Sequence, residues 1–145
     1  MRKVISIDPG HKKCGILLAD VEGLFVIDGK TVINSSVIKL IEDWREKYII
    51  DLIIIGNGTT SRYWQGKFID NEIGPIELVD ERMTTLLARS RYLELCPPKF
   101  IFRWIPKTLI PPPANLDAVV ALILIENYFG KKLEWKSPVE LRIWP

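Results

Sequence analysis

Val4-Ile5-Ser6-Ile7-Asp8-Pro9-Gly10 is an apolar run that ends in a carboxylate and a turn. A short run of this kind, stopped by Pro-Gly, predicts a strand over residues 3–8 with Asp8 standing where the strand runs out. A carboxylate at a strand end, beside a glycine turn that lets a phosphate backbone approach, is a common way to hold a divalent cation for phosphate chemistry. Asp-Pro-Gly is also an ordinary turn, so the rest of the chain has to decide between the two.

Working outward, residues 14–20 and 23–29 read as two more strands, joined to the first and to each other by turns too short for anything but antiparallel pairing. From Ser35 the period changes. Val37, Leu40, Ile41, Trp44 and Tyr48 share one helical face, which predicts a helix over 36–48 capped by Ser35 or Ser36. Leu52-Ile53-Ile54-Ile55-Gly56 is the continuous apolar run of a parallel strand buried on both faces after a crossover helix. Beyond the loop 57–61, residues 62–70 read as one or two helical turns and 76–80 as a strand. Met83, Leu86, Leu87, Ser90 and Leu93 then mark a helix that Pro97-Pro98 stops. Residues 100–105 read as extended. After Pro111-Pro112-Pro113 a last helix covers 116–129, closed by Gly130 and apolar nearly all round, which predicts burial on the sheet and against a partner chain.

This order predicts an α/β ribonuclease-H-like fold: a mixed five-stranded sheet with helices on both faces, strand one central and residues 51–56 parallel to it. At 145 residues the chain fits one domain, with 131–145 as a C-terminal tail without usable period. Charged residues make up 26%, which excludes a disordered chain, and the net charge of +2 permits nucleic-acid binding only through a local basic patch. Cys14 and Cys96 lack the spacing of a zinc site or disulfide framework and read as buried thiols in a reducing compartment. The start lacks a signal-peptide h-region, and the longest apolar stretch, 118–125, is far short of a membrane span, so the expectation is a cytoplasmic protein with no membrane partner.

Three acidic groups far apart in sequence converge in that topology: Asp8, the pair Asp80-Glu81 at the end of the fifth strand, and Asp117 in the first turn of the last helix. Each has an ordinary reading, since Asp117 complements a helix N-terminus and Asp80 or Glu81 can pair with Arg82. Three at one sheet edge point further, because close carboxylates repel unless a cation neutralises them. Two cations roughly 3.5–4 Å apart would activate the attacking water and stabilise the leaving oxyanion, which predicts phosphodiester hydrolysis.

Ile7-Asp8-Pro9-Gly10 with Lys12 and Gly15, then Ile55-Gly56, then Val79-Asp80-Glu81-Arg82-Met83-Thr84-Thr85, then 116–124 (Leu-Asp-Ala-Val-Val-Ala-Leu-Ile-Leu) resemble the four blocks of the RuvC-like YqgF (RuvX) family, over about residues 3–129. The resemblance implies an endonuclease using magnesium or manganese, either a Holliday-junction resolvase or a nuclease of small-subunit ribosomal RNA precursors. It implies Asp8, Glu81 and Asp117 as the metal-binding catalytic acids, with Asp80 second choice beside Glu81. Lys12, Lys13, Arg62 and Arg82 are the candidate substrate-binding residues on branched DNA or precursor rRNA. A two-fold symmetric junction would favour a homodimer.

Two other classes compete. The loop Gly56-Asn57-Gly58-Thr59-Thr60-Ser61 looks like the corresponding domain of the Tex transcription-accessory proteins, which implies a catalytically inactive nucleic-acid-binding module. The sugar-kinase and chaperone ATPase family also begins with a strand, Asp-x-Gly and a hairpin, but needs a duplicated domain that this length excludes. His11 in the first loop reads as a phosphate donor or an exposed histidine. Trp64 reads as a base-stacking residue in a polar loop, while Trp44, Trp104, Trp135 and Trp144 read as packing residues.

Overall fold

The computed structural model describes residues 2–82, 84–95, 116–136 and 143–144. Its elements in chain order are β1 (Lys3–Asp8), β2 (Lys13–Asp20), β3 (Phe25–Ile33), α1 (Val37–Lys47), β4 (Leu52–Gly56), α2 (Ser61–Asp70), β5 (Ile76–Val79), α3 (Thr84–Leu95), α4 (Asp117–Phe129) and β6 (Ile143–Trp144). The expected extended segment at 100–105, together with Met83, Cys96, Trp104 and the two proline stops, lies outside the described residues.

The sheet order is β5-β4-β1-β2-β3-β6. β1 is central, antiparallel to β2 and parallel to β4; β4 is parallel to β5. This is the expected five-strand mixed sheet, to which the tail adds the two-residue β6 beside β3. The tail also packs, with Leu133 and Trp135 buried and Glu134 bridging to Phe25, although its sequence has no period to announce it. β3 runs four residues past the expected end at 29, to Ile33, before a single 3-10 turn at Asn34–Ser36 leads into α1. Ser36 holds the cap position of α1 without a side-chain cap bond.

Strand alternation sorts the core into two layers. Ile5, Ile7, Ile53 and Ile55 face α1 and α2, where Val37, Leu40, Ile41, Trp44, Trp64 and Phe68 pack on them. Val4, Leu52 and Ile54 face α4 through Ala118, Ala121, Leu122 and Ile125. Ser6 falls on the α4 side and satisfies its hydroxyl by donating to the Ala121 carbonyl at 2.6 Å. Within the fold, Ala88 of α3 packs on Val119, Val120 and Ile123, so the face turned from the sheet is buried by the chain itself. Gly130 ends α4 in the left-handed conformation, φ 64°, as the Gly at that position requires. No helix among the described residues is long and apolar enough to cross a membrane.

Candidate active site

β1, β4 and β5 run parallel, so their carboxyl ends share one edge of the sheet. In register, Ile7 pairs with Ile55 and Gly56 with Val79, which brings Asp8, Gly56 and the segment after Val79 side by side. Ligands of open α/β sheets bind outside such strand ends. On the other flank of β1, Asp8 pairs with Gly15 of β2, and the first residue of α4 lies directly on that glycine. A β-carbon built on Gly15 would stand 1.8 Å from the Asp117 carbonyl oxygen, so only glycine lets the helix start here.

Glu81 is seated by a pair of glycines, Gly56 and Gly58. Its Oε2 lies 2.2 Å from where a β-carbon of Gly56 would be, and its Oε1 lies 2.2 Å from that of Gly58. Thr84, buried at the start of α3, donates its hydroxyl to the Glu81 carbonyl at 2.7 Å and pins the backbone below the carboxylate. Glu81 Oε2 and Asp117 Oδ2 are buried without a hydrogen-bond partner. Lys13 Nζ stands 3.7 Å from Asp117 Oδ2, close enough for attraction but too far for a hydrogen bond. Burial, then the Asp117 and Glu81 carboxylates, push the Asp8 pKa up to about 7. Burial, then Asp80, also raises that of Glu81.

Buried carboxylate oxygens without donors, beside an acid whose charge is disfavoured by two others, are what a divalent cation relieves. Among the described residues no group of three or more acid, imidazole or thiol side chains is placed to hold a metal ion. Magnesium takes one or two carboxylates from a protein and fills its remaining positions with water and substrate phosphate.

The other nominated residues divide. Asp80 does not join the three acids: Arg82 Nε donates to Asp80 Oδ2 at 2.8 Å and the Arg82 N–H to Oδ1 at 2.9 Å, and these bonds, the backbone one first, hold the Asp80 pKa below its usual value. Arg82 is thus an exposed arginine tied to its own neighbour. Lys12 and His11 are exposed on the loop after β1, and Arg62 is exposed in the first turn of α2. Trp64 departs from the expectation of a loop residue that stacks on bases. It lies in α2, fully buried against Phe68, because 61–70 is a full helix and position 64 falls on its inner face. Asn34 was missed by the sequence reading: its side-chain nitrogen donates to the Gly10 and His11 carbonyls at 3.2 and 2.9 Å, and its oxygen accepts from Cys14 Sγ at 3.2 Å. It fixes the loop carrying Lys12, and no local pattern marks an Asn after a strand for that role.

No family model matches the chain. A protein of Clostridium acetobutylicum named "Putative pre-16S rRNA nuclease" is 33% identical over 107 residues, covering 63% of this chain and 78% of that protein. The chain belongs to the YqgF (RuvX) family. Proteins of the same name from Bacteroides thetaiotaomicron and Phocaeicola vulgatus are 27% and 24% identical, each spanning 91% of this chain and 99% and 98% of their own lengths. The four YqgF blocks fall on β1 and its loop, the end of β4, β5 running into α3, and α4. These are the segments that meet at the acidic edge.

Proposed function

We propose that this chain is a magnesium-dependent endonuclease of ribosomal RNA maturation, hydrolysing phosphodiester bonds in precursor rRNA with Asp8, Glu81 and Asp117 as the acids that hold the cation. The observation that carries this reading is the pair of buried carboxylate oxygens on Glu81 and Asp117 that accept no hydrogen bond, next to Asp8, in a chain whose relatives are named for pre-16S rRNA. When bound, the cation supplies an activated water and stabilises the leaving oxyanion.

The chain's own residues do the rest. The central strand carries Asp8 and fixes it against sliding. Gly15 lets α4 bring Asp117 beside it, and Gly56 and Gly58 leave room for the Glu81 carboxylate. Lys12, Lys13 and Arg62 set positive charge around that edge, where the scissile phosphate has to arrive. The glycine pair also weighs against the silent module of the Tex type. The loop that suggested it, Gly56-Asn57-Gly58, is what accommodates the catalytic glutamate here.

The test is incubation of purified protein with labelled precursor 16S rRNA and, separately, a labelled four-way DNA junction, each with magnesium and with chelator. Cleavage of the RNA in magnesium alone supports the reading. Junction cleavage without RNA cleavage would make the protein a resolvase, and no cleavage of either would favour the silent module.

A further inference from the structure

The helix that follows the Glu81 seat carries an exposed aromatic residue that neither the core nor the acids use. Gly58, against which the Glu81 carboxylate rests, accepts a hydrogen bond from the Ser61 N–H at 3.1 Å, so α2 begins next to the catalytic edge. α2 is anchored by Trp64 and Phe68, both fully buried, while Tyr63 leaves 59% of its surface exposed. Tyr63 is nonetheless held in place: its ring meets that of Trp64 edge-on, 5.3 Å between centroids at 78°. One turn on, Lys67 Nζ sits 5.6 Å from the Tyr63 centroid and donates to its hydroxyl at 3.3 Å. The only charged side chains from Ser61 to Phe68 are Arg62 and Lys67.

We propose that Tyr63, with Arg62 and Lys67 beside it, is a stacking platform for an unpaired nucleotide of the RNA next to the scissile phosphate. This inference rests on the nuclease reading above and adds a substrate class to it, single-stranded RNA at the cleavage site. An exposed ring held by its neighbours offers a π-face to any base, and flanking cations meet the phosphates on either side of it. A duplex keeps its bases stacked on each other and cannot use the ring.

The experiment measures affinity by fluorescence anisotropy in magnesium, for a single-stranded RNA of about a dozen nucleotides and for the duplex of the same sequence. Tyr63→Ala and Tyr63→Phe are compared in an Asp8→Asn background that prevents cleavage, with circular dichroism confirming the fold. The expected result is a loss of about 10-fold for Tyr63→Ala on the single strand, no change on the duplex, and near-parent binding by Tyr63→Phe. Equal single-strand binding by Tyr63→Ala and its parent overturns the platform and leaves the nuclease reading standing. An equal loss on both RNAs overturns stacking in favour of a non-specific effect of the substitution. Absence of any RNA binding by the parent overturns the platform and the nuclease reading together.

Discussion

The carbonyl oxygen of Asp117 fills the space that a side chain on Gly15 would need, 1.8 Å from the position of its β-carbon. Because Gly15 pairs with Asp8 across β1 and β2, the absence of one methyl group sets how closely two of the three acids approach. The obstacle is helix backbone, which cannot swing aside. Gly15→Ala is therefore expected to destabilise the protein by at least about 1–3 kcal/mol, as overpacking of a filled site does. Urea unfolding checks this.

Gly56 and Gly58 predict the opposite balance. There a β-carbon would meet the flexible end of Glu81, which can move at little cost to the fold. Gly58→Ala should keep the unfolding free energy within about 0.5 kcal/mol of the parent yet lower cleavage roughly 10- to 100-fold, as loss of support around a ligating carboxylate does. Parallel unfolding and single-turnover cleavage measurements distinguish a displaced acid from a damaged fold.

Asp8 makes a pH prediction for the protein in chelator. Its pKa of about 7 in the folded state lies above the ordinary 3.8, so between those values the folded protein binds more protons than the unfolded chain. Stability from this group is fully present below about pH 3.8 and is lost as pH rises towards 7, with a slope of up to about 1.4 kcal/mol per pH unit. Asp8→Asn should flatten that part of the stability profile and leave the metal-free protein more stable than the parent at pH 7. Urea titrations of both proteins between pH 4 and 8 check the sign.

On the far side of α4, Arg91 and Glu126 form a buried bidentate pair, Nε to Oε1 and Nη2 to Oε2 both at 3.0 Å. Glu126 also accepts the Leu133 N–H, and Arg91 donates to the Leu133 carbonyl, so the pair fastens the tail to the helices. Without Glu126, the acidic partner left to Arg91 is the exposed Glu94, Nη1 to Oε2 at 3.2 Å, and the Leu133 N–H loses its acceptor. Glu126→Ala should cost about 1.5–3 kcal/mol, read by unfolding.

Sequence periodicity revealed the layers because each strand and helix presents a buried face at its own period, and Ile53-Ile54-Ile55 could only be a strand covered twice. Asp8, Glu81 and Asp117 each stand at or beside the end of an element, as the sequence predicts. What stayed hidden depends on contacts across the sheet. Gly58 looks like loop composition until Glu81 is seen resting on it, Asn34 acts on residues more than twenty positions away, and Trp64 reads as polar-loop decoration until its helix is drawn at full length. The tail behaved likewise, since the alternation of buried Leu133 and Trp135 with exposed Glu134 and Lys136 is too short to announce an element.

The central claim is that Asp8, Glu81 and Asp117 form one cation site for phosphodiester cleavage. The most direct measurement is single-turnover cleavage of labelled precursor 16S rRNA by the parent and by Asp8→Asn, each at matched RNA saturation, in magnesium and in chelator. The account predicts cleavage by the parent in magnesium alone, and none by Asp8→Asn although it folds and still binds the RNA. Cleavage by Asp8→Asn at the parent rate, or by the parent in chelator, would contradict it.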